Sequence, residues 1–190
     1  MSEAFICDYI RTPIGRFGGS LSSVRADDLG AVPLKELAVR NPSIDFEAVD
    51  EVIYGCANQA GEDNRNVARM AALLAGFPKE VSGITLNRLC ASGLEAVNLA
   101  AKSITVGEGD IIIGGGVESM SRAPWSVPKP ERPQPMGHVQ MWDTTIGWRY
   151  DNPKMDGLYP LISLGETAER IAIQFTDAVF IQPPKVRAQV

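Results

Sequence analysis

The stretch from Gly83 to Ala101, GITLNRLCASGLEAVNLAA, constrains this chain most. Apolar and β-branched residues (Ile84, Thr85, Leu86) lead into a short polar turn, and an alanine-rich amphipathic run follows from Leu94. The pattern predicts strand, tight turn and helix, with Cys90 in the turn. There the first N–H groups of the helix lack intrahelical partners and the positive end of its dipole lies close. A thiol so placed is expected to be a better nucleophile than a free one. The small residues after it, Ala91, Ser92 and Gly93, would let a carbonyl group approach the backbone amides.

The same alternation runs through the rest of the chain. Ala4 to Ile10 (AFICDYI) is rich in β-branched and aromatic types and reads as a strand. Asp27 and Asp28 suit the start of a helix to about Arg40, with Pro33 tolerable only in the first turn and Asn41 and Pro42 as the stop. Glu51 to Cys56 reads as a strand and Asn66 to Ala75 as a helix closed by Gly76 and Pro78. The helix after Cys90 runs to about Thr105, with Gly107 as its cap. Asp110 to Gly114 (DIIIG) is a continuous apolar strand of the kind buried on both faces of a parallel sheet. This rhythm predicts an α/β fold, right-handed crossovers and helices on both faces of one sheet. Cys7 and Cys56, each within a strand, are expected to be buried small hydrophobes. Ser163 to Phe175 opens with S-x-x-E, a capping-box signature, and carries an apolar face at Ala168, Ile171, Ala172 and Phe175.

Other motifs carry less. RTPIGRFGGS lacks the GK[ST] ending of a phosphate-binding loop. Gly114, Gly115 and Gly116 do not form GxGxxG, and close packing of backbone accounts for them. From Ser119 to about Tyr159 prolines, glycines and aromatic residues replace hydrophobic periodicity, as in lids and binding loops. His138, the single histidine, lies in this excursion and is expected at the surface. A net charge of −5, with 18 basic and 23 acidic residues and no Lys/Arg cluster, argues against a nucleic-acid partner. Three cysteines without a CxxC pair are neither a disulfide framework nor a zinc site, and no metal is expected. The opening has neither an apolar signal region nor an Arg-rich presequence, and no apolar run is long enough to cross a bilayer, which places the chain in the cytoplasm.

The motifs also carry a family resemblance. NRLCASGLEAV resembles the nucleophile motif of the thiolases, and YIRTPIGRFGGSL, ADDLGAVPLKEL, YGCANQAGEDNRNVARMAALLAGFP, GGGVESMSRAP and ETAER resemble thiolase segments in the family's order. The likeness runs from about Phe5 to about Phe175, and RTPIGRFGG with WDTTIGWRY points to the degradative branch that uses 3-oxoadipyl-CoA. It implies the N-terminal half of the thiolase fold: a layered α-β-α arrangement on a mostly parallel sheet with a loop-domain insertion. The implied boundaries are 1–118 for the α/β domain, 119–162 for the insertion, 163–175 for a returning helix and 176–190 for a tail that departs from the family.

The implied activity is acyl transfer between a 3-oxoacyl-CoA and CoA, with 3-oxoadipyl-CoA or acetoacetyl-CoA as substrate. Cys90 would be the acyl-enzyme nucleophile. Leu158 and Leu164 would neighbour the pantetheine arm, Ser163 and Leu164 standing where thiolases often carry His-Met. Coenzyme A enters as substrate with no bound cofactor, and the intact family forms dimers or tetramers. After Phe175 the sequence reads TDAVFIQPPKVRAQV, without the Gly-His-Pro histidine, the Asn-Glu-Ala-Phe segment or the second cysteine of a thiolase. The expectation is a chain inactive alone. Two alternatives stand beside it: a non-catalytic interaction or oligomerisation fragment, and another thiolase-fold condensing enzyme such as an acyl-carrier-protein ketosynthase.

Overall fold

The computed structural model describes residues 3–130, 132–134 and 136–175. They fall into two compact units that divide between Ile146 and Gly147.

The first unit is built on a parallel sheet of β1 (Glu51–Gly55), β2 (Ser82–Leu86) and β3 (Ile112–Gly116), in the order β2-β1-β3. Glu51 stands opposite Ser82 and Ile112, and Gly55 opposite Leu86 and Gly116. Side chains of a strand alternate between faces, and β1 uses both. Val52 and Tyr54 pack with Leu34 of α1 (Ala26–Arg40) and with Val67, Ala68 and Ala71 of α2 (Val67–Ala75). Ile53 packs on the other face with Ala96 and Ala100 of α3 (Ser92–Val106). The result is the predicted α-β-α layering with β1 at its centre. Leu34, Val52, Ile53 and Val67 are fully buried, each worth roughly 1.5–3 kcal/mol relative to exposure.

The helix ends follow their sequence signals. The Asn66 side chain accepts from the Arg69 N–H at the start of α2, and Gly76 (φ 90°) and Gly107 (φ 84°) close α2 and α3 in the left-handed conformation. Pro33, however, sits two turns into α1, not in its first turn. The ring removes the N–H that would reach Leu29, yet Ala31 and Leu34 on either side are buried against the core, and tertiary packing outweighs the local penalty.

Residues 4–10 form no strand. Their composition favours β structure, but a strand needs a partner. The outer edge of β3 instead faces a cavity of about 1270 Å³, lined among others by Phe5, Ile6, Phe17, Leu37, Ile104 and Ile113. The segment is held by Asp8, whose carboxylate accepts from Arg40 and Asn41 at the end of α1. Cys7 is therefore exposed rather than buried. For the same reason β3 is only half-buried, although Ile113 packs on one face and Ile112 on the other. It also begins later than the apolar run suggests, because the Asp50 carboxylate takes the N–H groups of Asp110 and Ile111 before the ladder starts.

The excursion after β3 contains a 3-10 turn at Met120–Arg122 and a short antiparallel ribbon of β4 (Trp125–Ser126) and β5 (Trp142–Asp143). His138 is exposed there, as expected. The second unit holds α4 (Pro153–Asp156) and α5 (Leu164–Gln174). The Ser163 hydroxyl accepts from the Glu166 N–H at 3.1 Å, the cap that S-x-x-E predicts. The expected apolar face of α5 stays open, with Ile171 and Phe175 exposed. The tail expected at 176–190 lies outside the described residues. Among those residues no helix is long and apolar enough to cross a membrane.

Candidate active site

The three parallel strands end on the same side, and their C-terminal loops meet there: residues after Gly55, after Leu86 and after Gly116. In open parallel sheets this is the edge where ligands bind. Cys90 lies in the loop after the edge strand β2, between its last residue and the first of α3, and is exposed.

The turn that carries it is closed by short-range hydrogen bonds. The Asn87 carboxamide oxygen accepts from the Leu89 N–H at 2.8 Å, an Asx-type turn. The Asn87 amide nitrogen donates to the Ala57 carbonyl at 3.0 Å, tying the turn to the loop after β1. The N–H groups of Ala91 and Ser92 return to the carbonyls of Arg88 and Leu89. Leu89 takes φ 50°, a left-handed conformation unusual for its residue type. Ser92 is buried, and its hydroxyl accepts from the Arg88 N–H at 2.8 Å and donates to the Leu89 carbonyl at 2.6 Å.

Below the turn, β1 ends in a glycine for a steric reason. A Cβ on Gly55 would lie 2.4 Å from the carbonyl carbon of Ser92 and 2.6 Å from the nitrogen of Gly93. The start of α3 therefore rests directly on the end of β1. Gly93 by contrast has open space where a Cβ would stand.

A polar knot supports the neighbouring loops. The Glu118 carboxylate accepts from the N–H groups of Ala57 and Asn58, and Asp63 accepts from Gly61. Cys56 donates its S–H toward Asp63 at 3.7 Å. Burial, reinforced by the charges of Glu118 and Asp63, pushes the Cys56 thiol up to about 12. Cys56 is buried, as expected, although it follows β1 instead of lying within it. The candidate ligand atoms of Cys56, Asp63 and Glu118 lie within 4.8 Å of one another. Both carboxylates are engaged by backbone N–H groups and the Cys56 S–H points to Asp63, which accounts for the trio as a structural knot. Outside it, Arg122 pairs with Glu62, which also meets Arg25, itself paired with the buried Asp27. These pairs fasten the loop after β1 to the start of α1 and to the turn after β3.

Leu158 and Leu164 belong to the second unit, where both are exposed, Leu158 just after α4 and Leu164 as the first residue of α5. Asn87 and Glu118 did not stand out in the sequence, and Ser92 did so only as a small residue beside Cys90, not as a hydrogen-bonding one. The signal for Asn87 and Ser92 was available, since Asn and Ser flanking a turn at fixed offsets are its usual hydrogen-bonding residues.

The thiolase N-terminal domain family matches residues 4–176. The chain belongs to the thiolase family. It is 63% identical over 172 residues to the 3-oxoadipyl-CoA/3-oxo-5,6-dehydrosuberyl-CoA thiolase of Escherichia coli K12, covering 90% of this chain and 43% of that protein. Identity to the beta-ketoadipyl-CoA thiolase of Pseudomonas putida is 58% over 172 residues, with the same shares covered. The crystal structure of the Bacillus anthracis acetyl-CoA acetyltransferase superposes with a TM-score of 0.73 at 36% identity, covering 88% of this thiolase domain and 40% of that chain. The chain thus spans about two-fifths of the length of the curated relatives it matches.

Proposed function

We propose that this domain carries the acyl group of a thiolase reaction on Cys90, moving it between a 3-oxoacyl-CoA and CoA, with 3-oxoadipyl-CoA as substrate and acetoacetyl-CoA as a shorter one. The observation that carries the reading is the exposed Cys90 thiol on a rigid strand-to-helix turn at the C-terminal edge of the parallel sheet. The names of the relatives support the substrate.

In the forward direction the Cys90 sulfur attacks the 3-oxo carbonyl carbon. The bond between that carbon and the neighbouring methylene breaks, the acyl group stays on sulfur, and the departing carbanion takes up the equivalent of the proton that the Cys90 thiol gave up, becoming acetyl-CoA. CoA thiolate then attacks the acyl-enzyme and releases the shortened acyl-CoA. The N–H of Cys90 itself is the donor this domain offers to the oxyanion that forms in each step. We further propose that Leu158 and Leu164 neighbour the pantetheine arm, that residues 119–162 act as an insertion to the α/β domain of residues 1–118, and that 163–175 returns to it. The working protein is read as a cytoplasmic homo-oligomer.

The test is a chimera in which residues 4–176 replace their counterpart in the Escherichia coli relative, assayed for thiolysis of 3-oxoadipyl-CoA. Activity lost on Cys90→Ser, with an acyl adduct mapped to Cys90 by mass spectrometry, supports the reading. A folded chimera that acylates no residue, or acylates Cys7 as fast as Cys90, overturns it.

A further inference from the structure

We propose that Ser92 is a positioning residue that aims the Cys90 sulfur, a proposal that rests on the reading of Cys90 as the acyl carrier. One side chain holds both ends of the Arg88–Leu89 pair that precedes Cys90. The Ser92 hydroxyl takes the Arg88 N–H at 2.8 Å and gives its proton to the Leu89 carbonyl at 2.6 Å, a carbonyl that also accepts the Ser92 N–H at 3.0 Å. Between those contacts Leu89 is kept at φ 50°, where a residue with a Cβ does not stay unless its surroundings hold it there. Ser92 itself cannot drift, because it is only 4% exposed and its backbone lies against Gly55 at the end of β1. Position thus passes from the central strand through the Ser92 hydroxyl to the turn, and from the turn to the sulfur. Removal of the hydroxyl leaves the Arg88 N–H without this acceptor and lets Leu89 relax toward negative φ, which swings Cys90 out of line.

Acyl transfer depends on the line of attack, whereas alkylation by a small reagent succeeds from many directions. The two reactions therefore separate aim from mere access. The chimera described above and its variants are treated with acetoacetyl-CoA and, separately, with iodoacetamide, and each cysteine is followed by peptide mass spectrometry with circular dichroism as the check on folding. Ser92→Ala is expected to slow acylation of Cys90 at least tenfold while its alkylation, measured against the exposed Cys7 in the same sample, stays within threefold. Ser92→Thr keeps the hydroxyl and is expected to acylate within threefold of wild type. In a Leu89→Gly background, where left-handed backbone costs little, Ser92→Ala is expected to lose most of its effect. Ser92→Cys, with similar volume and a far weaker hydrogen bond, serves where Ser92→Ala does not fold, its two thiols distinguished by fragment ions.

Wild type that acylates Cys90 while Ser92→Ala does so equally fast overturns the role of Ser92 alone. Acylation and alkylation that fall together also overturn it, since access and not aim was lost. Wild type that acylates nothing at Cys90 removes the acyl-carrier reading and this proposal with it.

Discussion

The chemistry of this domain comes down to where three thiols sit. Cys90 and Cys7 are exposed, while Cys56 is enclosed beside two carboxylates with its thiol pushed up to about 12. Only a thiolate alkylates quickly. Iodoacetamide at pH 7 is therefore expected to label Cys90 and Cys7 and to spare Cys56 by more than tenfold, read peptide by peptide; comparable labelling of Cys56 would show that its pocket opens. Two glycines beside the turn make a second pair of opposites. Gly55→Ala would drive a Cβ into the backbone of Ser92 and Gly93, so a loss at the upper end of roughly 1–3 kcal/mol is expected in urea melts. Gly93→Ala meets nothing within 4 Å and is expected to leave stability unchanged or raise it by up to about 1 kcal/mol. The cysteine in the turn was legible because strand, turn and helix signals met on it. Its supports were not, since Gly55 meets it through the backbone of Ser92 and Glu118 through the loop after β1, contacts between segments far apart in sequence.

At the scale of elements, carboxylates do much of the fastening. The N–H groups of Ile111 and Asp110 hold the Asp50 carboxyl below its ordinary range at the entry to β3. The Arg122 guanidinium does the same for Glu62, and in Asp27 burial pushes the carboxyl up but the Arg25 partner more than reverses it. Each group is depressed in the folded state. Its contribution is therefore fully present above the ordinary carboxylate range near pH ~4 and is lost as pH falls through the lower folded value. Urea midpoints are expected to hold from pH 7 to about 5 and to drop below about 4, with Asp50→Asn flattening part of the drop; a midpoint that rises on acidification would refute this assignment. Helix and strand positions were largely readable from caps and periodicity, as at Asn66, Gly76 and Gly107. Pro33 and residues 4–10 were misread for opposite reasons. A buried helix face carried a proline that local rules reject, and a β-prone segment found no strand to pair with.

Across the whole molecule the sheet is unevenly supported. β1 has a partner on each edge and a helical layer on each face, with Val52 and Ile53 fully buried. β3 has a partner on one edge and the cavity on the other, and residues 4–10 have no ladder at all, with Phe5, Ile6 and Tyr9 exposed. Amide exchange follows the cost of opening each region, which rises with buried apolar contact and with backbone pairing. The slowest amides are therefore expected in β1, intermediate protection in β3 and α3, and the fastest exchange in residues 4–10. Were residues 4–10 to exchange as slowly as β1, the segment would be part of a closed sheet, and the cavity beside β3 would have to be filled in solution. Exchange that instead grades outward from β1 places the rigid part of the domain directly beneath Gly55 and Ser92, so the turn bearing Cys90 stands on the element least able to yield.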